Sequence, residues 1–419
     1  MQTLCGTLLQ ATAPAECRVT DEAIVRIGED GKFAGVSAGP APRGAVGGPG
    51  RWILPGFIDA HLHLPHWDRR GIDGLGLFDF LEKIVWPAEA RMADPDVAER
   101  IAEAFVSGMI AHGTTTVAAF GSPFPQATQR VFEVFERRGL RAIHGMMLND
   151  TECPPGLDQE ADASLEDSRQ LAARWHGAAG GRLQYAFSPR TPLMCSSRQM
   201  RGAAALAGMF GCHIQTHAAE SLIGVERVRE RFPEALDEIE VFAEMGLLTG
   251  RTLLGHGVHL NQHQRRQVAA AGTTVIHCPK ANLFLQTGLM DYVAHRDSGV
   301  RVALGSGIGG GFDPFMPRVA VDALQTAKAV KVHGLPRGTS PVPTVAEAWW
   351  LLTRGAAEAL GLADRVGLIA PGMEADCLVV RPEPWIADLE PSCRPSALLY
   401  SLRPDQIEHV YIAGRRVGP

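Results

Sequence analysis

Eight apolar, strand-like runs recur along this chain, and segments of helical period separate them. The runs are Ile53–His61, Thr114–Phe120, Arg141–Asn149, Leu183–Ser188, Cys212–His217, Thr252–His256, Thr273–Cys278 and Val300–Ser306. The intervening stretches include Pro95–His112, Gln126–Arg138 and Val319–Val330, each with one apolar face. Parallel strands need long crossover connections, and helices of this length supply them. Repetition of the unit eight times predicts an α/β fold, a (β/α)8 TIM-like barrel. Chemistry on such a barrel gathers at the C-terminal ends of the strands.

The pattern differs at both ends of the chain. Ala23–Ile27, the turn Gly28-Glu29-Asp30-Gly31 and Lys32–Val36 read as a hairpin, and residues 37–51 are rich in Gly, Pro and Ala. After the eighth run a helix is expected over Val345–Leu360, with Trp349 and Trp350 as packing residues. Short strands return at Asp376–Val380 and His409–Ile412. The expected organisation is a barrel over 53–364 and a small β-sandwich domain composed of 1–52 and 365–419. A total of 419 residues accommodates both.

Composition removes several function classes. Hydrophobic content of 46% with 21% charged residues is that of a water-soluble globular chain. A net charge of −6 without a basic tract gives no footprint for nucleic acid or an anionic membrane. No stretch approaches the roughly 20 apolar residues of a membrane span, and the N-terminus lacks a cationic, then apolar, leader. The eight cysteines form no CxxC pair, as expected of reduced thiols in a cytoplasmic protein.

The strand ends carry the functional signal. The first run ends His61-Leu62-His63, and side chains two apart in a strand share a face. The fifth ends Gln215-Thr216-His217-Ala218-Ala219-Glu220, the sixth at His256 and the seventh at His277-Cys278-Pro279. Catalytic zinc takes three protein ligands and keeps one position open, and His61, His63 and His217 could supply the three. Glu220, where strand gives way to helix, could exchange protons with an activated water, and His256 would stand beside it. Iron(II) accepts the same donors. The zinc signature H-x-E with P-C-x-x-C does not occur here.

These motifs resemble the amidohydrolase superfamily, and within it the guanine deaminases. The resemblance rests on Leu54-Pro55-Gly56-Phe57-Ile58-Asp59-Ala60-His61-Leu62-His63, Gly113-Thr114-Thr115-Thr116, Met147-Leu148-Asn149 and Ser188-Pro189-Arg190. It continues through Gln215–Ser221, Leu253–Gly257, His277–Leu283 and Gly367–Asp376, so it spans nearly the whole chain. It implies water attack at C2 of guanine, with Glu220 moving protons to the ring nitrogen and the leaving amine. It also implies that Arg190 holds the purine carbonyl and that the segment from His63 to His66, with Trp67 and Thr191, lines the base pocket. The family has Gln where His66 stands. It tends toward homodimers and acts on small purines.

One position departs from the family. The eighth run continues Gly305-Ser306-Gly307, and the resemblance places a metal-binding, proton-accepting Asp where Gly307 stands. Several alternatives are open at this stage. The chain could be a deaminase that works with Glu220 alone, an inactive relative serving as a scaffold or binding protein, or a deaminase of a pterin, aminotriazine or modified purine. Asp313 could also swing in from the following loop to replace the lost carboxylate.

Overall fold

The computed structural model describes residues 1–335 and 337–418, so Pro419, the last residue of the expected terminal segment, lies outside the described residues. Eight parallel strands follow one another around a sheet in chain order. They are Phe57–His63, Thr114–Phe120, Arg141–Gly145, Leu183–Pro189, His213–Ala218, Thr252–His256, Thr274–His277 and Arg301–Leu304. The last returns to the first, where the Gly307 amide donates to the His61 carbonyl at 3.0 Å. The Ser306 amide likewise donates to the Asp59 carboxylate at 3.0 Å. Every residue of the first three strands is buried. This explains why they read as continuous apolar runs rather than alternating ones.

Helices cover the outside, among them Pro95–Ala111, Pro125–Arg138 and Met316–Val332. The first of these has a sharp start because the Asp94 side chain accepts from the Asp96 amide and Pro95 needs no partner there.

The chain ends combine as expected, into one seven-stranded sheet. Its order is Arg415–Val417, Ile407–Ile412, Cys377–Val380, Val46–Pro55, Gln2–Ala13, Glu16–Ile27 and Phe33–Ala38. All neighbours are antiparallel except Gln2–Ala13 with Val46–Pro55. The buried Arg141, at the start of the third barrel strand, ties this sheet to the barrel. Its Nε lies 3.0 Å from Asp376 Oδ2, and its Nη2 also reaches Glu374.

Three sequence expectations need correction. The apolar run from Ile53 to His61 is two strands in two sheets, divided at Gly56. Both strands are buried, so hydrophobicity alone shows no break. A Cβ at residue 56 would stand 2.2 Å from the Thr115 hydroxyl, which is why glycine marks the seam. The run Arg141–Asn149 is also interrupted, and Met147–Leu148 pairs separately with the fourth strand. The helix expected over Val345–Leu360 breaks at Thr353, with φ −136° and ψ −95°, into Val345–Leu352 and Arg354–Ala359. The Thr353 hydroxyl donates to the Trp349 carbonyl at 2.8 Å. Trp349 is a packing residue, buried with its indole N–H on Pro395 O at 3.0 Å.

Candidate metal and substrate site

The first strand delivers His61 and His63 to the barrel mouth, and the fifth delivers His217. One ring nitrogen from each of the three lies within 4.8 Å of the others. The His63 and His217 Nε2 atoms are 2.9 Å apart. His217 Nδ1 is 2.8 Å from the Arg190 carbonyl, which can only accept, so Nδ1 bears the proton and Nε2 faces the triad with its lone pair. His61 Nε2 and His63 Nδ1 are buried without a partner. Burial first, and then neighbouring imidazoles, hold His61 and His63 well below the usual histidine range. The same causes push His217 down to about 3. Neutral imidazoles with His61 Nε2 unpartnered and the Nε2 atoms of His63 and His217 facing each other are a donor set that a divalent ion such as zinc takes.

Glu220 follows the fifth strand by way of Ala219, whose φ of +45° turns the backbone sharply. The helix Leu222–Arg231 begins only after Ser221, whose hydroxyl accepts from the Gly224 amide at 3.1 Å. Glu220 therefore sits in the turn ahead of the helix, with its carboxylate 3.4 Å from His256 Nε2. Burial raises its pKa above the usual carboxylate range, against the pull of His256. His256 Nδ1 pairs with Asn282 Oδ1 at 2.7 Å, so the Nδ1 proton points at Asn282 and Nε2 is left for Glu220.

A cavity of about 830 Å³, open mouth included, joins these groups. That is in the range of small-molecule sites. His61, His63, His66, Arg190, Thr191, His217, Glu220, His256 and Gly307 all line it, under an apolar roof that includes Phe78, Phe80 and Val85. The Thr191 hydroxyl is engaged within its own turn by the Leu193 amide at 3.1 Å.

Two sequence expectations fail at this site. Trp67 does not line the cavity. Its indole packs edge-on to Phe105 in the outer core and so close to Gly108 that a Cβ there would overlap the ring. Proximity to His66 in sequence suggested a pocket wall, but the 3-10 turn Leu64–Arg69 sends the two side chains to different places. Asp313 does not swing in. Its carboxylate lies 3.4 Å from Lys280 Nζ and caps the Phe315 amide at 3.0 Å.

Three residues that sequence reasoning missed support the site. Glu89, in the short helix Trp86–Ala90, is buried behind the cavity wall and bonds both His66 and Arg190. Glu238 accepts from the Ala219 amide at 2.8 Å and so braces the turn that carries Glu220. Burial pushes Glu238 up to about 7. Asn282 orients His256. For Glu89 the hint in the sequence was an acidic residue inside an otherwise apolar run, Ile84 to Ala90, and Asn282 lies in the His277–Leu283 motif with no role assigned to it there. A second group, His63, His66 and Glu89, also has ligand atoms within 4.8 Å. It shares His63 with the first, and Arg190 already compensates Glu89.

Gly307 adopts φ +64°, and a Cβ built there would stand 2.5 Å from the Ala281 methyl. No side chain at the end of the eighth strand therefore projects into the cavity.

The amidohydrolase family matches the chain over residues 52–417. A probable guanine deaminase of Deinococcus radiodurans is 34% identical over 370 residues, covering 86% of this chain and 82% of that protein. The guanine deaminase of Escherichia coli K12 is 30% identical over 334 residues, covering 80% and 74%. The solved structure of an E. coli guanine deaminase superposes with a TM-score of 0.91 at 26% identity, over 100% of this chain and 99% of that one.

Proposed function

This chain belongs to the amidohydrolase family, and on that premise we propose that it hydrolyses guanine to xanthine and ammonia. The observation that carries the reading is the convergence of His61, His63 and His217 within 4.8 Å, in a cavity that also holds Glu220, His256 and Arg190. In this reading His61, His63 and His217 hold one divalent ion, zinc by preference and iron(II) as an alternative. The ion, when bound, supplies Lewis acidity that makes water nucleophilic near neutral pH.

The protein's own groups do the remaining work. Water adds to C2 of the purine, a C–O bond forms, and the C–N bond to the exocyclic amine breaks. Glu220 carries the first proton that water loses to the ring nitrogen, and then the second, from the hydroxyl now on C2, to the amine, which departs as ammonia while the C2 carbonyl forms. A carboxyl raised by burial suits this shuttling better than one of ordinary acidity. His256, held by Asn282, keeps Glu220 oriented. Arg190 and His66 receive the polar edge of the base, and Phe78, Phe80 and Val85 give the cavity an apolar wall.

A homodimer in a cytoplasmic setting, and a division into a barrel over 53–364 and a composite β domain of 1–52 and 365–419, complete the reading. Eight unpaired thiols, and the lack of a membrane-crossing helix among the described residues, are consistent with that setting. Gly307 favours a second reading, a family member that binds ion and purine but turns over slowly or not at all. Ammonia release from guanine, measured with added zinc, separates the two. Turnover abolished by chelation supports the enzyme, and bound zinc without ammonia supports the binding protein.

A further inference from the structure

Glu89 is 1% exposed and lies behind the cavity wall rather than in it. Its Oε1 is 3.1 Å from His66 Nε2, and its Oε2 accepts from Arg190 Nη2. One carboxylate thus joins the turn after the first barrel strand, the end of the fourth, and the short helix Trp86–Ala90. Burial would raise its pKa, but the Arg190 charge and the two hydrogen bonds outweigh that and hold it below the usual range. An ionised carboxylate only accepts, so both partners must donate to it.

The consequence is a defined pattern at the cavity surface. Arg190 offers its remaining N–H groups. His66, with Nε2 committed to Glu89, leaves Nδ1 as the ring nitrogen available to a ligand. The His66 ring stacks on His63 at 5.0 Å with a 13° tilt, which fixes this edge relative to the histidine triad.

We propose that Glu89 is a positioning residue that sets Arg190 and His66 as a donor–acceptor pair selecting heterocycles with a lactam, a ring carbonyl beside an N–H. The proposal rests on the base-binding reading above and narrows it. Guanine and pterins carry the lactam, whereas an aminotriazine without a ring carbonyl would leave the Arg190 donors unpaired. Unpaired buried donors are how polar sites reject near-isosteres.

The test uses the full-length, zinc-loaded protein with hypoxanthine and purine as probes. The two differ only in the lactam, and neither has an amine to lose, so affinity is read by calorimetry apart from turnover. Hypoxanthine is expected to bind about 100-fold more tightly than purine. Glu89→Gln should cut that ratio at least tenfold with zinc content unchanged. Glu89→Asp keeps the charge opposite buried Arg190, so it guards against a folding failure. It retracts the carboxylate by one methylene and should cut the ratio at least threefold. Hypoxanthine preference that persists in both variants overturns the role of Glu89 and leaves the deaminase reading intact. A parent protein that binds both probes equally, or neither, overturns the lactam assignment. Absence of ammonia from guanine alone strikes only the deaminase reading.

Discussion

Gly307→Asp restores the carboxylate that the family places at the end of the eighth strand, and the structure indicates what the replacement must overcome. Residue 307 has φ +64°, a region that non-glycine residues enter at about 1–2 kcal/mol, with aspartate among the more tolerant. Its new Cβ would stand 2.5 Å from the Ala281 Cβ. Carbon atoms prefer roughly 3.5–4 Å, so one element must move by about 1 Å. Overpacking of this kind costs about 1–3 kcal/mol. The single variant should therefore unfold at a lower temperature, by an amount equivalent to about 2–5 kcal/mol. Its turnover per folded molecule should still rise at least tenfold, since a positioned base contributes about 10²–10⁴.

The companion change Ala281→Gly removes the methyl that blocks the way. It lies in the six-residue helix Pro279–Phe284, where glycine costs about 1 kcal/mol. The double variant should thus recover part of the lost stability and exceed the single variant in activity. Thermal unfolding, and ammonia release from guanine with zinc, give the two readouts. A single variant as stable as the parent would show that the Ala281 contact does not constrain position 307. A double variant no faster than the parent would refute the assignment of that position to proton transfer.

Three further outcomes follow from the same geometry. Glu220→Gln should lower turnover by about 10²–10⁴ while zinc content, read by atomic absorption, stays the same. Asp376→Ala strips a carboxylate from buried Arg141 and should cost about 3–5 kcal/mol in chemical denaturation, without altering metal content. The pH dependence of the metal-stripped protein has a definite sign. His61 and His63 lie well below the usual histidine value of about 6.5 in the fold, and His217 lies near 3. The unfolded chain therefore binds more protons than the native one below pH 6.5. The triad's share of the stability should be full above that pH and fall as pH drops toward 3, by up to about 1.4 kcal/mol per pH unit for each imidazole, set against the opposite trend of Asp59 and Glu238, which burial raises to about 7. His217→Gln should flatten the slope, and an unchanged slope would argue against a neutral, buried His217.

The barrel was legible because its strands are buried apolar runs set apart by helical segments, although the first run also takes in the end of a strand from the other sheet. The histidine triad was legible because His61 and His63 sit two residues apart in one strand and so share a face. Residues that act through others left no such trace. Glu89 lies more than twenty positions from His66 and a hundred from Arg190, and only the closed barrel brings the three together. Gly56 was misread because both sheets bury their strands equally there, so the period carries no mark of the handover. Trp67 was misread because a 3-10 turn rotates successive side chains through roughly 120°, separating it from His66.

The metal-free triad is costly in energetic terms, and this bears on which reading of Gly307 is right. His61 Nε2 and His63 Nδ1 are buried polar atoms without partners. Each such group costs about 1–3 kcal/mol unless something satisfies it. A divalent ion held by the triad would serve His61 Nε2 and supply positive charge beside Glu220, which burial otherwise drives toward its neutral form. In the family pattern an aspartate would share that charge. Here Arg190 is already matched by Glu89, so Glu220 and the more distant Glu238 are the cavity's remaining carboxylates. Loss of one anionic ligand should therefore weaken ion binding more than it alters geometry. A zinc titration followed by thermal shift is then expected to give a smaller Tm rise for the parent than for the Gly307→Asp, Ala281→Gly protein at equal free zinc, because stabilisation follows the logarithm of ligand over Kd. Equal shifts would mean that three imidazoles hold the ion as well as three imidazoles and a carboxylate. The eighth-strand position would then matter for proton transfer alone.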